Sequence, residues 1–168
     1  MSHRLEALAP HHDLANFHCG NPALDRWLRE YAGNAAGQGT RTYVLVDQDT
    51  DVVSGYIAIA PHLLARDELP ARIRHGTPAR IPAILLAKLA LAEHLQGRGL
   101  GQELLVHALA TIVHAARTAG GRIIVVDAID DRAAQFYLAH DFSPMPDNPH
   151  RLVMKLSTAA KALGLPWP

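Results

Sequence analysis

The sequence predicts an α/β fold, and three segments carry that prediction. Ile123, Ile124, Val125 and Val126 are four β-branched residues in a row, the pattern of a strand buried on both faces. Residues 100–118 place Leu104, Leu105, Ala108, Ile112 and Ala116 at helical spacing, one apolar stripe for a core. Between the apolar run 84–91 and that helix lies Gln96-Gly97-Arg98-Gly99-Leu100-Gly101. There a strand ends, the chain turns tightly, and a helix begins.

The remaining elements follow in order. Asn21-Pro22 is a helix start, a capping side chain followed by proline in the first turn. Leu24, Trp27, Leu28 and Tyr31 then repeat at three and four, giving an apolar face. Residues 33–39 read as a loop. Residues 40–46 and 52–60 read as two strands joined by the polar turn 47–51. Residues 61–82 are irregular and carry Arg66, Arg72, Arg74 and Arg80; a helix over 64–73 would be interrupted by Pro70. Gly120-Gly121 stops the long helix. A last strand covers 151–156, and the tail 157–168 either docks through Leu163, Leu165 and Trp167 or frays.

Composition bounds the function. A chain of 168 residues, 49% hydrophobic and 19% charged, fits one globular domain over 1–168. No apolar run approaches the ~20 residues of a membrane span, and the first residues show no signal-peptide core. The single cysteine, Cys19, cannot form an internal disulfide, which fits a reducing cytoplasm. Formal net charge is zero, so a nucleic-acid partner needs a local basic patch. Of the 16 basic residues 13 are arginine, the side chain suited to bidentate phosphate contacts.

The glycine turn carries the chemistry. The first amides of a helix lack intrahelical partners, and with the helix dipole they suit a pyrophosphate. Glycines remove the Cβ atoms that would hold a phosphate away. The spacing is neither the P-loop nor the Rossmann pattern. A second segment stands beside it: the strand at 123–126 runs into Asp127-Ala128-Ile129-Asp130-Asp131-Arg132-Ala133-Ala134-Gln135-Phe136-Tyr137, followed by Asp141-Phe142-Ser143-Pro144.

Together these segments resemble the GNAT N-acetyltransferases: a Gln-x-x-Gly-x-Gly turn for coenzyme A, then Ala-x-x-Phe-Tyr and a Gly-Phe-x-Pro end. Asp141 stands where the family has glycine. Asp tolerates the left-handed backbone well, so the departure costs little. The N-terminal half is similar to the toxin branch of that family, through Phe17-x-Cys19-Gly20-Asn21-x-x-Leu24-Asp25-x-Trp27-Leu28, Arg41-Thr42-Tyr43-Val44, Gly55-Tyr56, and Ile81-Pro82 onward to Leu91. The likeness runs over about residues 17–156.

The resemblance implies a GNAT fold: a mixed, mainly antiparallel central sheet flanked by helices, with acetyl-CoA in a V between two central strands. It implies acetyl-CoA contacts from Leu89, Ala90 and Leu91, from Gln96, Gly97, Arg98, Gly99, Leu100, Gly101 and Gln102, and from Asp131, Ala133 and Phe136. It places the catalytic acid at Tyr137, whose ordinary pKa of ~10 keeps it protonated at neutral pH; the alternative is that Phe136 and Tyr137 are core aromatics. It implies a type II toxin that acetylates the α-amine of aminoacyl-tRNA, a ribbon-helix-helix antitoxin as partner, and a cytoplasmic setting; it allows a homodimer.

Acceptor contacts are expected from Arg41, Arg74, Arg80 and Lys88; the alternative for Arg74 and Arg80 is a solvated loop. Lys88 stands inside an apolar strand, a costly place unless it reaches solvent or a partner. Glu93 is either a general base or a solvated turn carboxylate; the lowered pKa of an aminoacyl α-amine makes a strong base unnecessary. Eleven histidines show no His-x-x-x-His pair, and one cysteine builds no thiolate site, so no metal is expected. Cys19 reads as a small buried residue rather than a nucleophile. A small-molecule (polyamine-like) or protein N-acetyltransferase without a toxin role shares every coenzyme residue and stays open. So does a non-catalytic acyl-CoA-binding module, against which the intact turn and Tyr137 argue.

Overall fold

The computed structural model describes residues 2–168. Seven strands lie in the order β1 (His3–Ala7), β2 (Arg41–Asp47), β3 (Val53–Ala65), β4 (Arg80–Leu91), β5 (Ile123–Asp127), β7 (Asn148–Lys155) and β6 (Ser143–Met145). β4 pairs with β5 in parallel, while β1–β2, β2–β3, β5–β7 and β6–β7 are antiparallel. The helices are α1 (Pro22–Arg26), α2 (Ala32–Ala35), α3 (Ala71–Arg74), α4 (Leu100–Ala119), α5 (Asp131–Ala139) and α6 (Leu156–Ala162). This is the mixed α/β arrangement expected. Residues of the chain group into two compact units, one of residues 1–60 and 87–108, the other of 61–86 and 109–168.

In the first unit, Asn21 caps α1, its side chain accepting from the amides of Ala23 and Leu24 as the sequence predicted. The helix does not stop at 33. A π turn, Trp27–Tyr31, follows α1 without a break, and α2 and a 3₁₀ turn carry the helical path to Gln38, where Gly39 (φ +96°) ends it. The π turn adds a residue and rotates the buried face. Leu28 and Ala32 are buried, while Tyr31, expected inside, is 49% exposed. β1 was not foreseen: five residues with a weak alternation, His-Arg-Leu-Glu-Ala, gain a partner only from β2. Gly55 on β3 has a packing reason. A Cβ there would stand 2.9 Å from the Ala90 carbonyl oxygen and 3.3 Å from Leu104 Cδ2.

In the second unit, β3 runs through Pro61 to Ala65, and a 3₁₀ turn, Arg66–Glu68, follows it. Proline has no N–H to donate, which is why the sequence reading ended the strand at 60. The helix considered over 64–73 is a single turn, α3, after Pro70. Leu64, Leu69, Ile73, Ile81, Ile123, Val125, Met145 and Val153 form a core cluster. α6 buries Leu156, Ala159 and Ala160, whereas Leu163, Leu165 and Trp167, the residues expected to dock the tail, are half-buried.

Gly55→Ala should destabilise the protein by about 1–3 kcal/mol, the scale of overpacking against backbone. A lowered denaturant midpoint with an unchanged m-value would show it.

Candidate acetyl-CoA and acceptor site

The residues of the first unit expected to contact coenzyme lie at the end of β4 and in the turn after it. The parallel pairing of β4 with β5 covers Ala83–Leu86 and stops there. Ala90 and Leu91 are buried, and Leu89 is half-buried. The Ala92 amide donates to the Ser54 carbonyl at 2.8 Å, so the chain leaves the sheet at a fixed point. Gln96 locks the turn that follows. Its side-chain amide donates to the carbonyls of Leu91 at 2.9 Å and Cys19 at 2.8 Å. Its backbone amide donates to the Glu93 carbonyl at 3.2 Å, so Gln96 braces the turn and leaves the phosphate to the residues after it. Gly97 (φ +79°) and Gly99 (φ +80°) hold left-handed backbone, and a Cβ at either would meet nothing within 4 Å. That open, glycine-lined space precedes a helix of 20 residues, α4. Successive amides at such a turn, at the positive end of a helix dipole, are suited to an anion. Arg98, exposed, brings a further positive charge. The residues present fit a pyrophosphate.

The same unit holds Lys88 and Arg41. Lys88 Nζ stands 5.2 Å from the centroid of the Trp27 ring. Arg41 donates to the Ala36 carbonyl at 3.1 Å and lines a cavity of about 410 Å³ with Leu28, Ala32 and Thr42. Glu93 is exposed, with its amide held by the His18 carbonyl at 2.8 Å. Burial and Asp25 push the Cys19 thiol up to about 11, which leaves it a poor nucleophile.

One cluster escaped the sequence reading. Glu6, His11 and His12 bring ligand atoms within 4.8 Å of one another. His12 Nδ1 accepts the Ala9 amide at 2.9 Å, so the ring proton sits on Nε2, 2.6 Å from Glu6 Oε1. Both nitrogens are engaged in a loop cap, and no lone pair of His12 is left for an ion.

In the second unit, α5 carries Tyr137. Asp130 caps the helix by accepting the Ala133 amide at 2.8 Å. Asp141 takes φ +70°, the left-handed turn expected of it, and the Phe142 amide returns to the Tyr137 carbonyl at 3.1 Å. Tyr137 packs edge-on between Phe136, at 5.3 Å, and Phe142, at 5.5 Å. Burial pushes its phenol above the ordinary tyrosine value, so the proton stays on at neutral pH. Of the other expected residues on α5, Asp131 is exposed with its carboxylate on His150 at 2.6 Å. The Ala133 amide already serves the cap.

Arg74 and Arg80 belong to this unit and differ. Arg74 is turned inward, donating to the Leu69 carbonyl at 3.2 Å, with its Nε buried and unpartnered. Arg80 is exposed. Arg122 braces the same loop through the Gly76 carbonyl at 3.3 Å. A cavity of about 530 Å³ is lined by Glu68, Asp127, Met145, Asp147, Asn148 and Arg151. Arg151 clamps Asp127 with two bonds, 2.8 and 2.9 Å, and donates to His62 Nε2 at 3.0 Å. Sequence distance hid this triad, whose members come from β3, β5 and β7.

The fold and this glycine turn decide the family. The GNAT acetyltransferase domain matches residues 38–144. The chain belongs to the GNAT acetyltransferase family. It is 38% identical over 153 residues to the tRNA-acetylating toxin of Mycobacterium tuberculosis, covering 90% of this chain and 91% of that protein. Among solved structures, a tyrosine-to-phenylalanine mutant of KacT aligns with a TM-score of 0.88 at 26% identity, over 96% of this chain and 99% of KacT. AtaT complexed with acetyl-methionyl-tRNAfMet aligns with a TM-score of 0.86 at 26% identity, over 96% and 99%. As a GNAT enzyme the chain is an N-acetyltransferase that uses acetyl-CoA.

Two outcomes check this geometry. Gly99→Glu forces a side chain onto left-handed backbone and a negative charge into the turn. Calorimetry should show acetyl-CoA binding by the wild type and severe loss in the variant, with the fold intact because the space is open. The second outcome concerns His62. Burial, then the Arg151 charge, hold its pKa below the ordinary imidazole value, with Asp127 and Glu68 opposing. Folding thus favours the neutral ring. That contribution is complete above about pH 6.5, the unfolded value, and is lost as pH falls through the lower folded value. Wild-type Tm should fall more steeply between pH 7 and 5 than that of His62→Gln.

Proposed function

We propose that this chain transfers acetyl from acetyl-CoA to the α-amine of aminoacyl-tRNA, and acts as a toxin that blocks translation. The observation that carries the reading is the near-full-length likeness to the mycobacterial tRNA-acetylating toxin. Lys88, a strand-interior cation beside the coenzyme strand, supports it from the chain's own chemistry. Acetyl-CoA, when bound, supplies the activated acyl group as a thioester. The backbone amides of 97–102 and the start of α4 hold its pyrophosphate. The edge of Leu89–Leu91 orients its arm. Holding both reactants supplies much of the acceleration. Tyr137 keeps a proton on its phenolic oxygen and is the acid of the transfer step. Lys88, Arg41 and Arg80 contact the nucleic-acid acceptor; Arg74 braces the loop that carries Arg80.

A ribbon-helix-helix antitoxin is the expected partner; among the structural relatives is the KacTA–DNA complex. The working compartment in this reading is the cytoplasm; among the described residues no helix is long and apolar enough to cross a membrane. A homodimer belongs to the same proposal. The second reading is acetylation of a polyamine or protein amine. The acid-lined cavity of Glu68, Asp127 and Asp147 favours it, although Arg151 already neutralises Asp127.

Labelled acetyl-CoA distinguishes the two. Offered a pool of charged tRNA, uncharged tRNA, a polyamine and a lysine-rich peptide, the protein should label the amino acid of charged tRNA and leave uncharged tRNA blank. Efficient labelling of polyamine or peptide with charged tRNA unlabelled would establish the second reading. Tyr137→Phe keeps the ring and should keep acetyl-CoA affinity. Its turnover should fall ~10²-fold or more, the scale of a positioned proton donor. Unchanged turnover with chemistry rate-limiting would make Tyr137 a packing residue.

A further inference from the structure

A lysine inside a strand needs something to hold its charge. Among the described residues no carboxylate pairs with Lys88; its ammonium rests on the face of Trp27, 5.2 Å from the ring centroid. Trp27 is itself fixed. It stacks on Tyr56, with ring centroids 5.9 Å apart and planes 9° from parallel. Tyr56 is fully buried, packs edge-on against Phe17 at 5.7 Å, and donates its hydroxyl to the Leu24 carbonyl at 2.8 Å. The backbone adds a second constraint. Trp27 opens the π turn, and the Ala32 amide closes that turn on the Trp27 carbonyl. π turns are uncommon, cost helical regularity, and concentrate at functional sites. Here the turn sets the indole against the strand that carries Lys88.

A ring face attracts an ammonium through its quadrupole and engages no lone pair. The N–H donors of Lys88 that point away from the ring are left for an external acceptor. A lysine is a compact point charge with rotatable donors, suited to a single phosphate. The next residue in the strand is Leu89, where the coenzyme strand begins.

We propose that Trp27 is a positioning residue that fixes the Lys88 ammonium as the contact for a phosphodiester at the acceptor end of aminoacyl-tRNA. The proposal rests on the aminoacyl-tRNA reading above. It separates this cation from the glycine turn at 97–99, so the two should fail independently.

The test measures KM for charged tRNA at several salt concentrations, with acetyl-CoA affinity measured alongside by calorimetry. Lys88→Met should raise KM for tRNA about tenfold and lower the log–log salt slope by about one contact, with acetyl-CoA affinity unchanged. Lys88→Arg should retain most of the affinity. Trp27→Leu should raise KM in the same direction, and should add nothing in the Lys88→Met background, because the indole acts through the lysine. Should Trp27→Leu fail to fold, Trp27→Phe carries the test: the smaller ring should raise KM about two- to threefold when Lys88 is present and not when it is methionine. An unchanged KM and salt slope in Lys88→Met, or Trp27 effects of equal size with and without Lys88, would overturn the assignment while leaving the tRNA reading in place. Charged tRNA left unlabelled by the wild type would overturn both.

Discussion

The glycine turn proposed for coenzyme depends on one side chain, the amide of Gln96. Its two donors reach the carbonyls of Leu91 and Cys19, and so join the end of β4, the glycine turn and the segment before α1. Without that clamp, residues 97–99 would be a flexible glycine loop and would pay ordering entropy on each binding event. With it, two left-handed glycines are presented from a fixed base. Gly55 serves the same end from the strand side, because its missing Cβ lets the Ala90 carbonyl approach. Preorganisation here is a matter of backbone, enforced by one amide and one absent side chain.

The phenol of Tyr137 illustrates a different constraint. In its proposed role as proton donor it must keep its proton until it is needed, and burial does that without any charged neighbour. The short helix α5 would be marginal alone. Its cap at Asp130, the left-handed Asp141 and the aromatic contacts to Phe136 and Phe142 hold the ring in place. Asp141 shows why the family glycine is replaceable: the turn requires positive φ, not the absence of a side chain.

Elements with strong local signals were legible in the sequence. The Asn21 cap, the α4 stripe from Leu104 to Ala116, the double-glycine stop and the β-branched run of β5 each carry their own physics, and each stands in the structure. The errors fall where the deciding contact is distant. β1 has too little pattern to be seen without β2. β3 crosses Pro61, where local preference says stop. The π turn at Trp27 cannot be told from an α-helix by apolar spacing, and so Tyr31 was placed inside. The glycine turn carries its proposed phosphate role in its own sequence, whereas the bracing roles of Gln96 and Arg74 need the fold, which sets both side chains on backbone carbonyls.

The proposed polyanionic acceptor meets a chain of zero net charge, and the resolution lies in how the cations are held. Arg4, Arg26 and Arg151 are paired with carboxylates, which cancels their reach. Arg29, Arg41, Arg74 and Arg122 are braced by the carbonyls of Phe17, Ala36, Leu69 and Gly76, and Lys88 by an indole face. A carbonyl or a ring orients a cation without neutralising it. Such cations keep their charge and lose little further freedom when an anion arrives. For phosphate recognition the relevant quantity is the number of cations fixed but unpaired. By that measure a chain of formal charge zero carries local positive sites, and the proposed attraction to nucleic acid depends on position rather than total charge.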